Sequence, residues 1–156
     1  MSNPELWGPP LWKVLHSLAE RLGRHQNPLI VADERRAWIA FLRQVEHVIP
    51  CQKCRAHYSK WKLSHKLDSF LHYPPSTVRE EARKWLWGLH AEVNAERGVE
   101  NLPLADVAAM YEKRNSVRDF EECLTAFKNA LEQSLIPGDA VRMLRLSFSK
   151  LRVFLA

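Results

Sequence analysis

Only three cysteines occur among the 156 residues, too few to staple a fold with a framework of disulfides. No run of about 20 apolar residues exists, so no segment is expected to span a membrane. The N-terminus opens on Pro, Glu and Trp where a secretory signal would have a basic segment and an apolar run, so a soluble, non-secreted protein is expected. Nor does any stretch carry a convincing strand pattern, which argues for an all-α chain.

The chain does have an apolar fraction of 46% and six tryptophans, enough for a core and for flat, stackable surface besides. Its net charge is +5, with basic and acidic residues interleaved along most of the chain. This reads as a solvated surface, with a functional basic face as the alternative.

Two of the three cysteines, Cys51 and Cys54, stand two residues apart just after Pro50. Proline starts helices well, so both sulfurs are expected at the positive end of a helix dipole, with Lys53 and Arg55 adding positive charge. Such surroundings favour a thiolate, and the spacing lets the sulfurs bridge, which is the chemistry of a redox dithiol. A zinc site is the competing reading; it needs two more ligands, for which His57, His65, His72 and His90 are candidates. Covalent haem attachment is excluded by Arg55, which stands where the histidine would have to be. A thioredoxin-like fold would require the strands that are lacking.

Apolar periodicity predicts helices over 9–23, 29–47, 51–63, 76–97, 102–111 and 120–135, with a last one capped by Asp139. Residues 64–75 read as a loop with at most one helical turn, and Ser76 as the start of a capping box. Trp12 and His16 share one face of the first helix; Trp85, His90 and Asn94 flank the apolar stripe Ala82, Leu86, Leu89, Val93 of the fourth. Cys123 shares a face with Phe120, Phe127 and Leu131 and reads as a packing thiol, with an intermolecular disulfide as the alternative. The basic, amphipathic C-terminal stretch is expected to cover the core or a partner, not nucleic acid or membrane.

Three motifs in this order give the chain a resemblance to the Erv/ALR-type FAD-linked sulfhydryl oxidases, over approximately residues 7–95. They are Trp12 to Ala19 with His16, preceded by Gly8; Pro50 to Cys54 with His57 and Tyr58; and Trp85 to Asn94 with His90 and Val93. The resemblance implies a four-helix bundle with a short fifth helix in residues 1–100, holding FAD, and leaves 101–156 as a C-terminal helical extension on the bundle or at a dimer interface. It implies Cys54 as the flavin-proximal sulfur and Cys51 as the one that exchanges with substrate. Gly8, Trp12, His16, His57, Tyr58, Trp85, His90, Val93 and Asn94 are implied cofactor contacts. Implied partners are protein thiols or a dithiol shuttle protein, molecular oxygen, and a second copy of the chain in a homodimer. Compact members without shuttle tails are common in large DNA viruses, which implies a cytoplasmic or virion setting. Ala91 stands where the family has Asn, and the family's Gly-Lys-Pro-x-Phe segment past the fourth helix is absent.

Overall fold

The computed structural model describes residues 3–155, and within them every regular element is helical. The first helix, α1 (Pro4–Ala19), begins where Asn3 accepts the N–H of Glu5, with Pro4 at a position that needs no N–H donor and Glu5 at the positive helix end. Its start thus lies ahead of the expected Pro9, and Pro9 and Pro10 sit inside the helix. They are tolerated because the carbonyls they leave unpaired, those of Glu5 and Leu6, belong to exposed residues that water can reach.

A turn through Gly23 leads to α2 (Pro28–Val48), capped by Asn27. Gly23 has a φ of +83°, and a Cβ there would fall 2.5 Å from the Pro75 carbonyl oxygen, so the turn needs glycine on both counts. Next come α3 (Gln52–Ser64), a 3-10 turn (Leu67–His72) and α4 (Pro75–Arg97), which ends on left-handed Gly98. The capping box expected at Ser76 does not form: Pro75 takes the first helical position, and no side chain caps the helix.

The stretch expected as one helix over 102–111 is a 3-10 turn (Leu104–Asp106) followed by α5 (Val107–Tyr111). The last two helices are α6 (Ser116–Glu132), capped by Asn115, and α7 (Ala140–Arg152), where Asp139 precedes the helix without making the expected side-chain cap.

Helix α1 rests chiefly on α6 and also meets α4 and α5, whereas α2 rests chiefly on α7 and also meets α3 and the first 3-10 turn. One continuous core results, with α6 and α7 as full members of it. At the join, Phe120 of α6 and Phe148 of α7 stack at 3.8 Å, and both lie within 6.3 Å of the Phe41 ring on α2. Each such buried ring removes enough apolar surface to contribute about 1.5–3 kcal/mol. Cys123 is wholly buried in this layer, which fits the packing-thiol reading and leaves no path to an intermolecular disulfide.

Helices α3 and α4 meet at Gly88, a residue that costs a helix interior roughly 1 kcal/mol relative to alanine. It is tolerated here because the Trp61 ring fills the space: a Cβ at Gly88 would lie 2.5 Å from Trp61 Cη2. Gly88→Ala is therefore expected to destabilise by about 1–3 kcal/mol despite its better helix propensity, read as a lower urea midpoint with unchanged slope.

Candidate active site

Pro50 keeps Ile49 extended, and α3 starts one residue later than expected, leaving Cys51 as the N-cap residue (φ −102°, ψ 118°). The Cys54 N–H then donates to Cys51 Sγ at 3.2 Å, so a free N–H at the helix start is directed at Cys51. Both sulfurs are thiols and half-buried. Burial first, then the adjoining Cys51 sulfur, push the Cys54 thiol up to about 12, with Lys53 opposing. The dipole was expected to make Cys54 a ready thiolate; its burial corrects that, because one sulfur caps the helix and the other is tucked behind it.

Behind Cys54 lies a cavity of about 310 Å³, walled by α1, α3 and α4. That is the lower end of the volumes typical of small-molecule sites, about 300–1,000 Å³. Of the residues singled out from sequence, Gly8, Trp12, Cys51, Cys54, His57, Tyr58 and Val93 line it. The wall is otherwise mostly apolar, including Trp7, Leu11, Leu15 and Leu89. Tyr58 presents only its ring, since its hydroxyl donates to the Leu42 carbonyl at 2.5 Å and so ties α3 to α2. At the mouth, Glu96 from the last turns of α4 reaches Lys53 at 2.7 Å and pairs with His57.

Beside the cavity, the flat rings of three helices form one array. Trp12 stacks on His90 at 3.9 Å and 3°, and His16 stacks on Tyr111 of α5 at 4.5 Å and 11°. His16 is 2% exposed, and its Nδ1 has no hydrogen-bond partner in the protein. Such a nitrogen is costly unless a ligand or water satisfies it.

The Erv1/Alr family model matches residues 9–115, more than half of the chain and all the motifs just placed. The chain belongs to the Erv1/Alr family. A frog virus 3 (isolate Goorha) protein that bears the name of an FAD-linked sulfhydryl oxidase is 39% identical over 57 residues, 36% of this chain and 37% of that relative. The chain therefore spans little more than a third of the curated relative it matches. No solved structure matches it significantly.

In this Erv1/Alr chain, Trp85 and Asn94 do not line the cavity. The Trp85 indole donates to the His65 carbonyl at 2.9 Å and sits edge-on to Tyr58 and Trp61, on the far side of the α3–α4 contact. Asn94 donates to Asn101 at 2.9 Å and so closes the loop after α4. Sequence reading missed Trp7, Leu11, Glu96 and Tyr111. Trp7 was within reach: Asn3-Pro4-Glu5 is a helix-start signal, but it was passed over in favour of Pro9-Pro10. Tyr111 carries no local signal, because its partner His16 lies almost a hundred residues away. Among the described residues, no group of three or more His, Cys, Asp or Glu is placed to hold a metal ion, and no helix is long and apolar enough to cross a membrane.

Both array histidines of the Erv1/Alr fold are neutral at physiological pH. Burial, then the neighbouring His90, lowers His16 to about 3, and burial, then Arg97, lowers His90 to about 4. Their folded values lie below the unfolded histidine value of about 6.5, so the unfolded chain binds more protons as pH falls. The stability they contribute is complete above that value and is lost as pH falls toward 4. The loss is steepest between about pH 6 and 4.5, at up to about 2.7 kcal/mol per pH unit for two protons. Urea midpoints at pH 7 and 5 check this, and H16Q/H90Q is expected to flatten the difference.

Proposed function

We propose that this chain is an FAD-dependent thiol oxidase that forms disulfides in protein substrates and returns the electrons to molecular oxygen as hydrogen peroxide. One observation carries the reading: Cys54 forms part of the wall of an apolar cavity that adjoins an array of flat, neutral rings. A redox dithiol needs an electron acceptor within contact of one sulfur, and a tricyclic ring in this cavity would meet that need. The donor set suits FAD. The cavity is sized for the ring system, whereas the array beside it stacks ring on ring, so a base would reach the unpartnered His16 Nδ1 only by parting those pairs. Past Asn94, ahead of where the missing Gly-Lys-Pro-x-Phe segment would stand, the cavity wall carries Glu96, paired with Lys53, and Arg97.

The protein's own part is sulfur exchange. A substrate thiolate attacks the Cys51 sulfur, the Cys51–Cys54 bond breaks, and its electron pair leaves on Cys54. The second substrate thiolate attacks the sulfur bound to Cys51, releasing the substrate disulfide and Cys51. Burial disfavours charge on Cys54, and the nearby Lys53 ammonium opposes that penalty. Bound FAD would supply the two-electron acceptor that lets the Cys51 and Cys54 thiols give up their protons and re-form their bond, so that two substrate thiols and one oxygen give one disulfide and one hydrogen peroxide. The substrate is a client protein thiol or a dithiol shuttle protein that reaches half-buried Cys51 directly. A setting in host cytoplasm or virion is part of the same proposal, for which the frog virus 3 relative supports a viral source and nothing finer.

Purified protein is expected to absorb at about 450 nm as one flavin per chain and to consume oxygen with a reduced dithiol. A colourless, zinc-containing preparation would instead support the interaction-module reading. The homodimer is part of the same proposal, pairing through a surface other than the α1 and α2 faces covered by α6 and α7. Light scattering showing a monomer at micromolar concentration would remove it.

A further inference from the structure

From His47 to Leu67 the chain contains no acidic residue. Five of the 23 Lys and Arg lie in that stretch, and the eighteen outside it are matched by all 18 Asp and Glu. The whole net charge of +5 therefore resides on the segment that builds the redox helix. Outside it the charges balance in sum, and the other acid-free basic stretch, residues 140–156 with four cations, lies away from the redox helix in sequence.

The fold does not neutralise the segment fully. Glu46 of α2 takes Lys62, and Glu96 of α4 takes Lys53 and His57. Glu5 of α1, the other carboxylate near the mouth, lies 3.8 Å from Arg97. Among the described residues, Arg55, Lys60 and Lys66 have no ion pair. Arg55 stands one helical turn beyond Cys51, and Lys60 about 13 Å along the same helix, on the solvent face shared by Gln52, Ala56 and Leu63. Leu63 is 79% exposed, so the face joins uncompensated cations to bare apolar surface. It leads directly to the half-buried sulfur of Cys51, and α3 itself carries no carboxylate to repel an anion.

We infer that the solvent face of α3 is a docking surface for an acidic protein partner, whose reactive cysteines are flanked by Asp or Glu and are delivered along the helix to Cys51. The inference rests on the thiol-oxidase reading and names its substrate class. Opposite charge raises the encounter rate, typically by factors of ten to a thousand at low salt, and like charge rejects wrong partners. The approach is short compared with the roughly 8 Å screening length at physiological ionic strength only for Arg55, so the advantage of Lys60 fades first as salt rises.

The experiment measures oxygen consumption by the flavin-loaded full chain with three reduced substrates: dithiothreitol, a two-cysteine peptide flanked by Glu, and the same peptide flanked by Lys. At low ionic strength the Glu peptide is expected to exceed the Lys peptide in kcat/KM by roughly tenfold or more, and the gap to close with added salt. R55E/K60E is expected to level or invert the ratio of the two peptide rates, with dithiothreitol turnover normalising for any change at the sulfurs themselves, and the milder R55Q/K60Q to fall between. Equal peptide rates at low salt, or a preference that survives R55E/K60E, would overturn the docking surface but not the oxidase. Failure of the wild type to oxidise dithiothreitol would refute the oxidase reading itself, and the docking surface with it. Peptides turned over alike, together with a duplex DNA oligomer that binds the wild type and not R55E/K60E, would assign the face to nucleic acid instead.

Discussion

Cys54→Ser is expected to lower turnover with any dithiol by at least about a thousandfold while the protein still binds flavin and keeps its yellow colour. The serine hydroxyl cannot form or break the bond to Cys51, so no electron pair reaches the cavity wall. Folding should be spared, because Cys54 is half-buried and the helix start depends on Cys51 accepting the Cys54 N–H, a main-chain donor that serine retains. Oxygen uptake is the measurement, with flavin absorbance as the internal control. Normal uptake by the yellow variant would remove Cys54 from the electron path.

Arg35→Ala is expected to cost about 3–5 kcal/mol, the largest stability effect available without touching a ring of the core. Glu34 and Arg35 are 0% and 1% exposed on α2 and pair with each other. Arg35 also donates to the Tyr73 carbonyl through Nε at 3.4 Å and Nη2 at 3.3 Å, and Glu34 accepts the Gly23 N–H at 3.3 Å. The pair thus clamps the α1–α2 turn and the approach to α4 onto α2. Burial lowers the Arg35 pKa, and the Glu34 carboxylate opposes that, so the guanidinium is held charged by its partner. Removing it strands a buried carboxylate whose Oε2 already has no partner. For a domain with about 5–15 kcal/mol in total, that is a large share. Replacing both residues in E34L/R35M should recover much of the loss, since no charge is then left alone. Urea midpoints of the two variants decide it: a double variant less stable than Arg35→Ala would contradict the stranded-charge account.

The dithiol, the Trp12–His16 spacing and His90 were legible because each lies within one helix, where spacing in sequence fixes spacing on a face. Helix existence was legible for the same reason. What escaped depends on contacts between distant segments. Glu34 and Arg35 look like ordinary solvated charges on an amphipathic helix, but α2 is covered by α7 on one side and by α3 and the first 3-10 turn on others. Tyr111 escaped because a five-residue helix gives too few positions for a period to show. The expected thiolate at Cys54 rests on the dipole and on the flanking Lys53 and Arg55; one residue's difference in the helix start gives the N–H to Cys51 and leaves burial to dominate at Cys54.

The broad seams between α1 and α6 and between α2 and α7 join segments on either side of the dithiol in sequence. Non-local seams of this kind close late, since the intervening chain must be gathered before any contact rewards it. On the ribosome the redox helix therefore emerges, with its sulfurs exposed, well before α6 and α7 can steady the walls behind it. Flavin capture is expected to follow synthesis in such a chain, and an assay of nascent chains halted before α6 should find them unable to hold flavin.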